Sequence, residues 1–168
     1  SIQCYVTHED YTGYDTREWS VGLDNIRAAE FDMALDTDAP YDLFKSQVAV
    51  QRDALVKLIR DIRANGGRVH VLGASTKLNT LLQHCGLDHT AIECAAERSP
   101  VKFGARTLGT DIPIVSEEES RALKPTHYLV GPWHFRQEIM ERERDTVNKL
   151  GCHLIFPLPT LEVVKHVP

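Results

Sequence analysis

The sequence predicts an α/β fold built on a mainly parallel five-stranded sheet with helices on both faces. Three observations predict it. Apolar runs of only a few residues recur from residue 69 onward. A helical stretch follows most of them. Glycines close the longest helical stretches, at Gly66-Gly67, Gly86 and Gly151. Short strands without polar alternation suit parallel pairing buried on both faces. Right-handed crossovers make such a sheet doubly wound and Rossmann-like.

Residues 1–37 form a lead-in. Ile2–Thr7 reads as an edge strand, and HEDYTGYDTREW is polar, aromatic and turn-rich. Trp19–Met33 reads as a short helix with a loose apolar stripe at Val21, Leu23, Ile26 and Phe31. The main domain spans 38–168, as a long helix over 38–65 and a sheet region over 66–168. Asp38 and Pro40 start the helix as cap and first-turn proline. Phe44, Val48, Leu55, Leu58, Ile59 and Ile62 recur at spacings of three, four and seven. Such a helix is long for a globular domain, so a sheet, a missing domain or a second copy of the chain must cover its stripe.

The expected strands are Val69–Leu72, Ala91–Ala95, Ile112–Val115, Tyr128–Val130 and His153–Phe156. The expected helices are Thr76–Cys85, the acid-led SEEESRALK segment, and Phe135–Leu150. In that second helix the acids come early and the lysine late, as the helix dipole favours.

Composition sets outer bounds. Of 168 residues, 42% are hydrophobic and 26% charged, which suits one globular domain. A net charge of -5 argues against nucleic acid and anionic membranes as partners. No apolar run is long enough to span a bilayer, and no leader precedes the first strand, so a cytoplasmic location is expected. Cys4, Cys85, Cys94 and Cys152 form no C-x-x-C pair, so no metal site is expected and they read as reduced thiols. The chain starts at Ser1 in strand-like sequence, which reads as a piece cut from a longer polypeptide or as a tag-cleavage scar.

In a sheet of this kind function gathers at the carboxyl ends of the strands. Four loops meet there: Gly73–Asn79, Glu97–Gly104, Gly131–Phe135 and Pro157–Thr160. In the first, Gly73 permits a sharp turn and the helix start offers free N–H groups to an anion. Ser75 and Thr76 add hydroxyls, Lys77 a cation, and Asn79 an amide. A phosphate site and a plain helix cap both fit this stretch. It matches neither G-x-x-x-x-G-K-[ST] nor G-x-G-x-x-G, which disfavours a stand-alone dinucleotide enzyme. In the second loop Glu97 is placed for a ribose hydroxyl, and Arg98 and Lys102 for phosphate; a solvated charged turn is the plain alternative. In the third, Trp133 or Phe135 offers a stacking face and His134 a hydrogen bond or proton transfer. Core packing with a surface histidine is the alternative there.

The runs GASTKLNTLLQHCGLD, ERSPVKFGARTLGTDIPIVSEEE and PWHFRQEIMERE together resemble the C-terminal domain of SAM-dependent sugar C-methyltransferases. The likeness runs from about Pro40 to Val164. It implies a three-part chain: a small zinc-binding region, a central domain that binds S-adenosylmethionine, and this domain. It also implies a nucleotide-linked keto-deoxysugar as the acceptor and deoxysugar biosynthesis as the setting. By position, Ser75, Thr76, Lys77 and Asn79 match the family's loop, and Trp133 and His134 its P-W-x-F segment. Leu78 stands where the family often has Gly, His134 where Asn is frequent, Gly131 where Leu or Pro is frequent, and Glu97 where Asp is usual.

The expectation is therefore a substrate-binding domain with no catalytic residue of its own. Its partners would be a nucleotide-sugar and the SAM-binding domain of the same polypeptide, and it would bind no cofactor alone. A non-catalytic nucleotide- or phosphate-binding module of the same fold is the alternative. A homodimer is left open.

Overall fold

The structure is a computed structural model that describes residues 6, 8–13 and 17–168. The expected strand at Ile2–Thr7 lies almost wholly outside the described residues. The chain forms two compact units, residues 1–46 and 47–168.

The first unit carries helix α1 (Arg17–Asp32) and the start of α2 (Ala39–Ala64). Between them the Tyr41 hydroxyl donates to the Leu35 carbonyl at 2.9 Å. Both helices form where periodicity placed them. Asn65 and Gly66 then end α2, with Gly66 at φ +77.

The second unit holds a six-stranded sheet in the order β3-β2-β1-β4-β5-β6. Its strands are β1 (Val69–Leu72), β2 (Ala95–Glu97), β3 (Ile114–Ser116), β4 (His127–Val130), β5 (His153–Phe156) and β6 (Glu162–Val164). The first five run parallel and β6 is antiparallel to β5. The helices are α3 (Thr76–Cys85), α4 (Glu117–Ala122), α5 (Arg136–Arg142) and α6 (Arg144–Asn148).

Alternate strand residues enter opposite cores, as the pleat requires. Val69, Val71, Leu129 and Ile155 pack with Leu55 and Ile59 of α2 and Leu78 and Leu82 of α3. Leu72, Tyr128, Val130, Leu154 and Phe156 pack with Ile139 of α5 and Val147 of α6. Each fully buried leucine or isoleucine contributes about 2 kcal/mol. Helices therefore cover both faces of a nearly parallel sheet. Cys85, Cys94 and Cys152 are buried free thiols.

Four expectations need correction. The sheet has six strands, because three residues after the cis Leu158-Pro159 bond return along β5 as an edge strand. The strand expected at Ala91–Ala95 forms at Ala95–Glu97, since Ile92 and Cys94 bury as lead-in without pairing as a strand. The strand expected at Ile112–Val115 is Ile114–Ser116, which holds register with β2. The helix expected over Phe135–Leu150 breaks at Glu143. That carboxylate is fully buried and accepts from Arg121, Arg142 and Thr146, so it takes its place from long-range pairing and not from helical periodicity.

No helix among the described residues is long and apolar enough to cross a membrane.

Candidate functional site

The loops that leave β1 and β4 cross at close quarters. Gly73 turns at φ +87 and donates its N–H to the Ala96 carbonyl at 2.8 Å. Gly131 donates to the Leu72 carbonyl at 2.8 Å. A Cβ on Gly131 would collide with the Gly73 carbonyl oxygen and lie 3.1 Å from the Leu78 side chain. Glycine at 131 is what lets the two loops meet while Leu78 fills the core beneath them.

Ser75 caps α3 by accepting the Leu78 N–H at 3.2 Å, and its carbonyl takes the Asn79 N–H. The capping reading of the opening stretch is thus realised. The first-turn N–H groups of Thr76 and Lys77 have no acceptor among the described residues. Such groups at a helix start favour negative charge.

Glu97 organises the second loop. Its Oε1 accepts the N–H groups of Arg98 and Ser99 at 2.8 and 3.1 Å, and its Oε2 takes Lys102 Nζ at 2.9 Å. Lys102 also donates to the Ala74 carbonyl at 3.0 Å, which ties the second loop to the first. Partial burial acts to raise the Glu97 pKa, but the Lys102 bond and the two amides outweigh it and hold the carboxyl below its ordinary value. No carboxylate among the described residues pairs with the Arg98 guanidinium, which is exposed.

These loops border a cleft of about 480 Å³, within the usual range for small-molecule sites. Gly73, Ser75, Glu97, Arg98 and Lys102 line it, so the structure brings these five expected residues together. Leu72, Pro132, Phe135 and Ile139 supply an apolar wall. Thr76 and Lys77 are exposed at the start of α3 and do not line this cleft. Asn79 instead donates to the Leu108 carbonyl at 3.0 Å. Trp133 packs against the core beside α5, and His134 is exposed with its ring 4.3 Å from that of Phe135. Of the two stacking candidates it is Phe135 that faces the cleft.

Sequence reasoning missed Glu117, Glu138 and Arg142 in the lining. Glu117 follows β3 directly, so the rule that selected the other carboxyl-end loops also reaches it. It pairs with Arg142 at 3.0 Å and Arg121 at 3.3 Å. Arg142 comes from the far end of α5, and no local signal places it there.

The cleft thus combines an apolar face, the carboxylates of Glu97 and Glu117 already satisfied by cations, the Glu138 carboxylate, and an exposed guanidinium beside a helix start. That arrangement suits a ligand with an apolar or ring portion and a negative group.

Comparison with known proteins agrees with the sequence resemblance. Residues 1–159 match the model of the C-methyltransferase C-terminal domain family. Over 113 residues the chain is 33% identical to the C-methyltransferase NovU of Streptomyces niveus. The match covers 67% of this chain and 27% of that relative's length.

Proposed function

This chain belongs to the C-methyltransferase C-terminal domain family, and we propose that it forms the acceptor-holding part of a SAM-dependent C-methyltransferase. The acceptor is a nucleotide-linked keto-deoxysugar or a close analogue. The observation that carries this reading is the cleft at the carboxyl edge, where the unpaired Arg98 stands beside the α3 start and the apolar wall of Phe135 and Ile139. We read the strand order as a Rossmann-like, doubly wound sheet. Its connections diverge between β1 and β4, which is the crevice where such sheets take ligands.

Within this reading each residue has a role. Arg98 holds the diphosphate, and the start of α3, which reaches the cleft wall at Ser75, adds its helix-end charge. Lys77 and Lys102 add positive potential. Glu97 accepts a ribose hydroxyl at the edge of its amide-bound carboxylate. Phe135 covers a ring face, with Trp133 and His134 flanking it. Gly73 and Gly131 keep the backbone close to the ligand, and Asn79 holds the Leu108 loop behind it.

S-Adenosylmethionine supplies the methyl group in such an enzyme, but the residues here do not fit it. The loop after β1 reads Gly-Ala-Ser-Thr, with no acidic-Gly-x-Gly run. This domain's contribution is to orient the acceptor and exclude water while chemistry proceeds elsewhere in the polypeptide.

Calorimetric titration with thymidine diphosphate tests the reading, with S-adenosylmethionine and NAD as comparators. Binding of thymidine diphosphate alone is expected. Arg98→Ala should weaken it at least tenfold, about 1.4 kcal/mol, and Lys77→Ala less. Equal affinity in both variants would remove the diphosphate from this cleft. Tight nucleotide binding by a full-length chain without methyl transfer would favour the non-catalytic module.

A further inference from the structure

A second cavity lies at the other end of the sheet, within the unit of residues 47–168. At about 440 Å³ it is nearly as large as the cleft, and the two share no lining residue. Thr126 and Cys152 line it and immediately precede β4 and β5, so it opens at the amino ends of those strands. Its buried lining is Tyr128 and Cys152, 0% and 2% exposed. The Tyr128 hydroxyl is already bonded to Ser120 at 2.9 Å. Burial pushes the Cys152 thiol up to about 12, so it stays a neutral, soft surface. Leu150 adds an apolar side chain that is 69% exposed.

Charge sets this cavity apart from the cleft. The cleft lining holds three carboxylates and three cations. The second cavity is lined by Arg121, Lys124 and Lys149 and by no carboxylate, in a chain of net charge -5. Arg121 is committed to Glu143 at 3.0 Å and Glu117 at 3.3 Å. Lys149 meets Asp145 at 3.0 Å, but both side chains are more than two-thirds exposed, so the pair holds the lysine only loosely. No carboxylate among the described residues pairs with Lys124, which is exposed. Lys124 also has a left-handed backbone, at φ +53, just past the end of α4. Glycine is the usual residue in that conformation, because a side chain crowds the next carbonyl. The helix dipole favours a cation in the last turn but does not require one in that strained position.

We infer that this cavity is a second binding site, for a small organic anion. The apolar body of the ligand lies against Tyr128, Cys152 and Leu150, and its acidic group is held between Lys124 and Lys149. A bare inorganic anion would leave the buried wall unfilled, and a neutral molecule would leave Lys124 unanswered. The inference does not depend on the acceptor reading, since the two sites share no residue and differ in charge.

Fluorescence titration of the chain with anilinonaphthalene sulfonate tests the inference, beside phenylnaphthylamine, the same body without the sulfonate. Saturable binding of the sulfonate is expected, at least tenfold tighter than that of the neutral amine. Lys124→Gly combined with Lys149→Ala should weaken the sulfonate at least tenfold and leave the amine unchanged. Lys124→Gly alone should not lower the thermal midpoint, because glycine suits φ +53, so lost binding is told apart from lost folding. If the double variant melts early, Lys124→Gly alone is titrated and should weaken the sulfonate at least threefold. In amide NMR spectra the sulfonate should shift Lys124, Gly151 and Cys152 and spare Gly73 and Arg98. Equal affinity for the two probes, equal affinity of the wild type and the lysine variant, or shifts centred on Gly73 and Arg98 would each overturn the proposal. Displacement of the sulfonate by thymidine diphosphate would place the probe in the cleft and overturn it as well.

Discussion

Glu93 and Glu97 flank the same short strand, and the two ends of the sheet use them differently. Glu93 lies on the amino side. It takes Arg63 at 2.6 Å and Arg68 at 2.6 Å, with His70 Nε2 at 3.5 Å. Arg68 also reaches the Leu123 carbonyl. Bonds from Arg68, with help from Arg63, outweigh desolvation and hold the Glu93 carboxyl at about 2. Glu97, on the carboxyl side, satisfies its own loop and leaves Arg98 next to it unpaired. Beside β2 the amino edge is stapled shut by paired charges. The carboxyl edge leaves a cation and helix N–H groups unpaired among the described residues.

The largest expected effect breaks the carboxyl edge itself. Gly131→Ala sets a methyl against the Gly73 and Leu72 carbonyl oxygens, neither of which can rotate away. It should cost about 3 kcal/mol, seen as a large drop in the chemical-denaturation midpoint.

Next comes the staple. Glu93→Gln leaves two half-exposed guanidinium groups without their anion and should cost about 2 kcal/mol at pH 7. The folded-state pKa lies below the unfolded value, so this stability is present above about 4.5 and disappears as pH falls toward about 2. The wild-type chain should lose stability across that window, and the Gln variant should lose less.

A histidine pair gives a smaller pH effect at the same amino edge. His127 Nε2 lies 3.2 Å from His153 Nδ1. Burial first, and then the His153 and Lys165 charges, push the His127 pKa down to about 4. Between about 6.5 and 4 the unfolded chain binds the extra proton, so stability falls as pH drops through that range. Partial exposure reduces the effect to about 1 kcal/mol. The thermal midpoint of the wild type should fall relative to that of His127→Gln as pH drops from about 6.5 to about 4.

The smallest effect on stability sharpens the contrast. Arg98→Ala should change the unfolding free energy by less than about 0.5 kcal/mol. A larger loss would mean that Arg98 belongs to the fold and not to a ligand.

Much of the fold is legible in the sequence because local signals agree. β1, α3 and β5 form at the residues that apolar runs and the Gly86 stop indicate, and α2 begins one residue from its expected start. The failures share a cause. Glu143 breaks a helical pattern because Arg121, on another element, buries it. β6 exists only because β5 offers an edge to pair with.

The site divides the same way. Gly73, Ser75, Glu97, Arg98 and Lys102 sit on loops that a parallel sheet must gather at one edge, so strand order alone brings them together. Glu117 was reachable by the same rule but read as a helix-start acid. Phe135 and Arg142 reach the cleft through the packing of α5, which no spacing encodes.

What the sequence determined by itself is the alternation of short apolar strands with capped helices, and with it the edge where a site must lie. Periodicity and caps act within a few residues, so they can be read along the chain. The tertiary structure alone decided which side chains face the cleft, that Ser75 caps while Arg98 stays unpaired, and which cations line the second cavity. Those depend on which partners long-range packing brings within a few ångströms, and no local pattern carries that information.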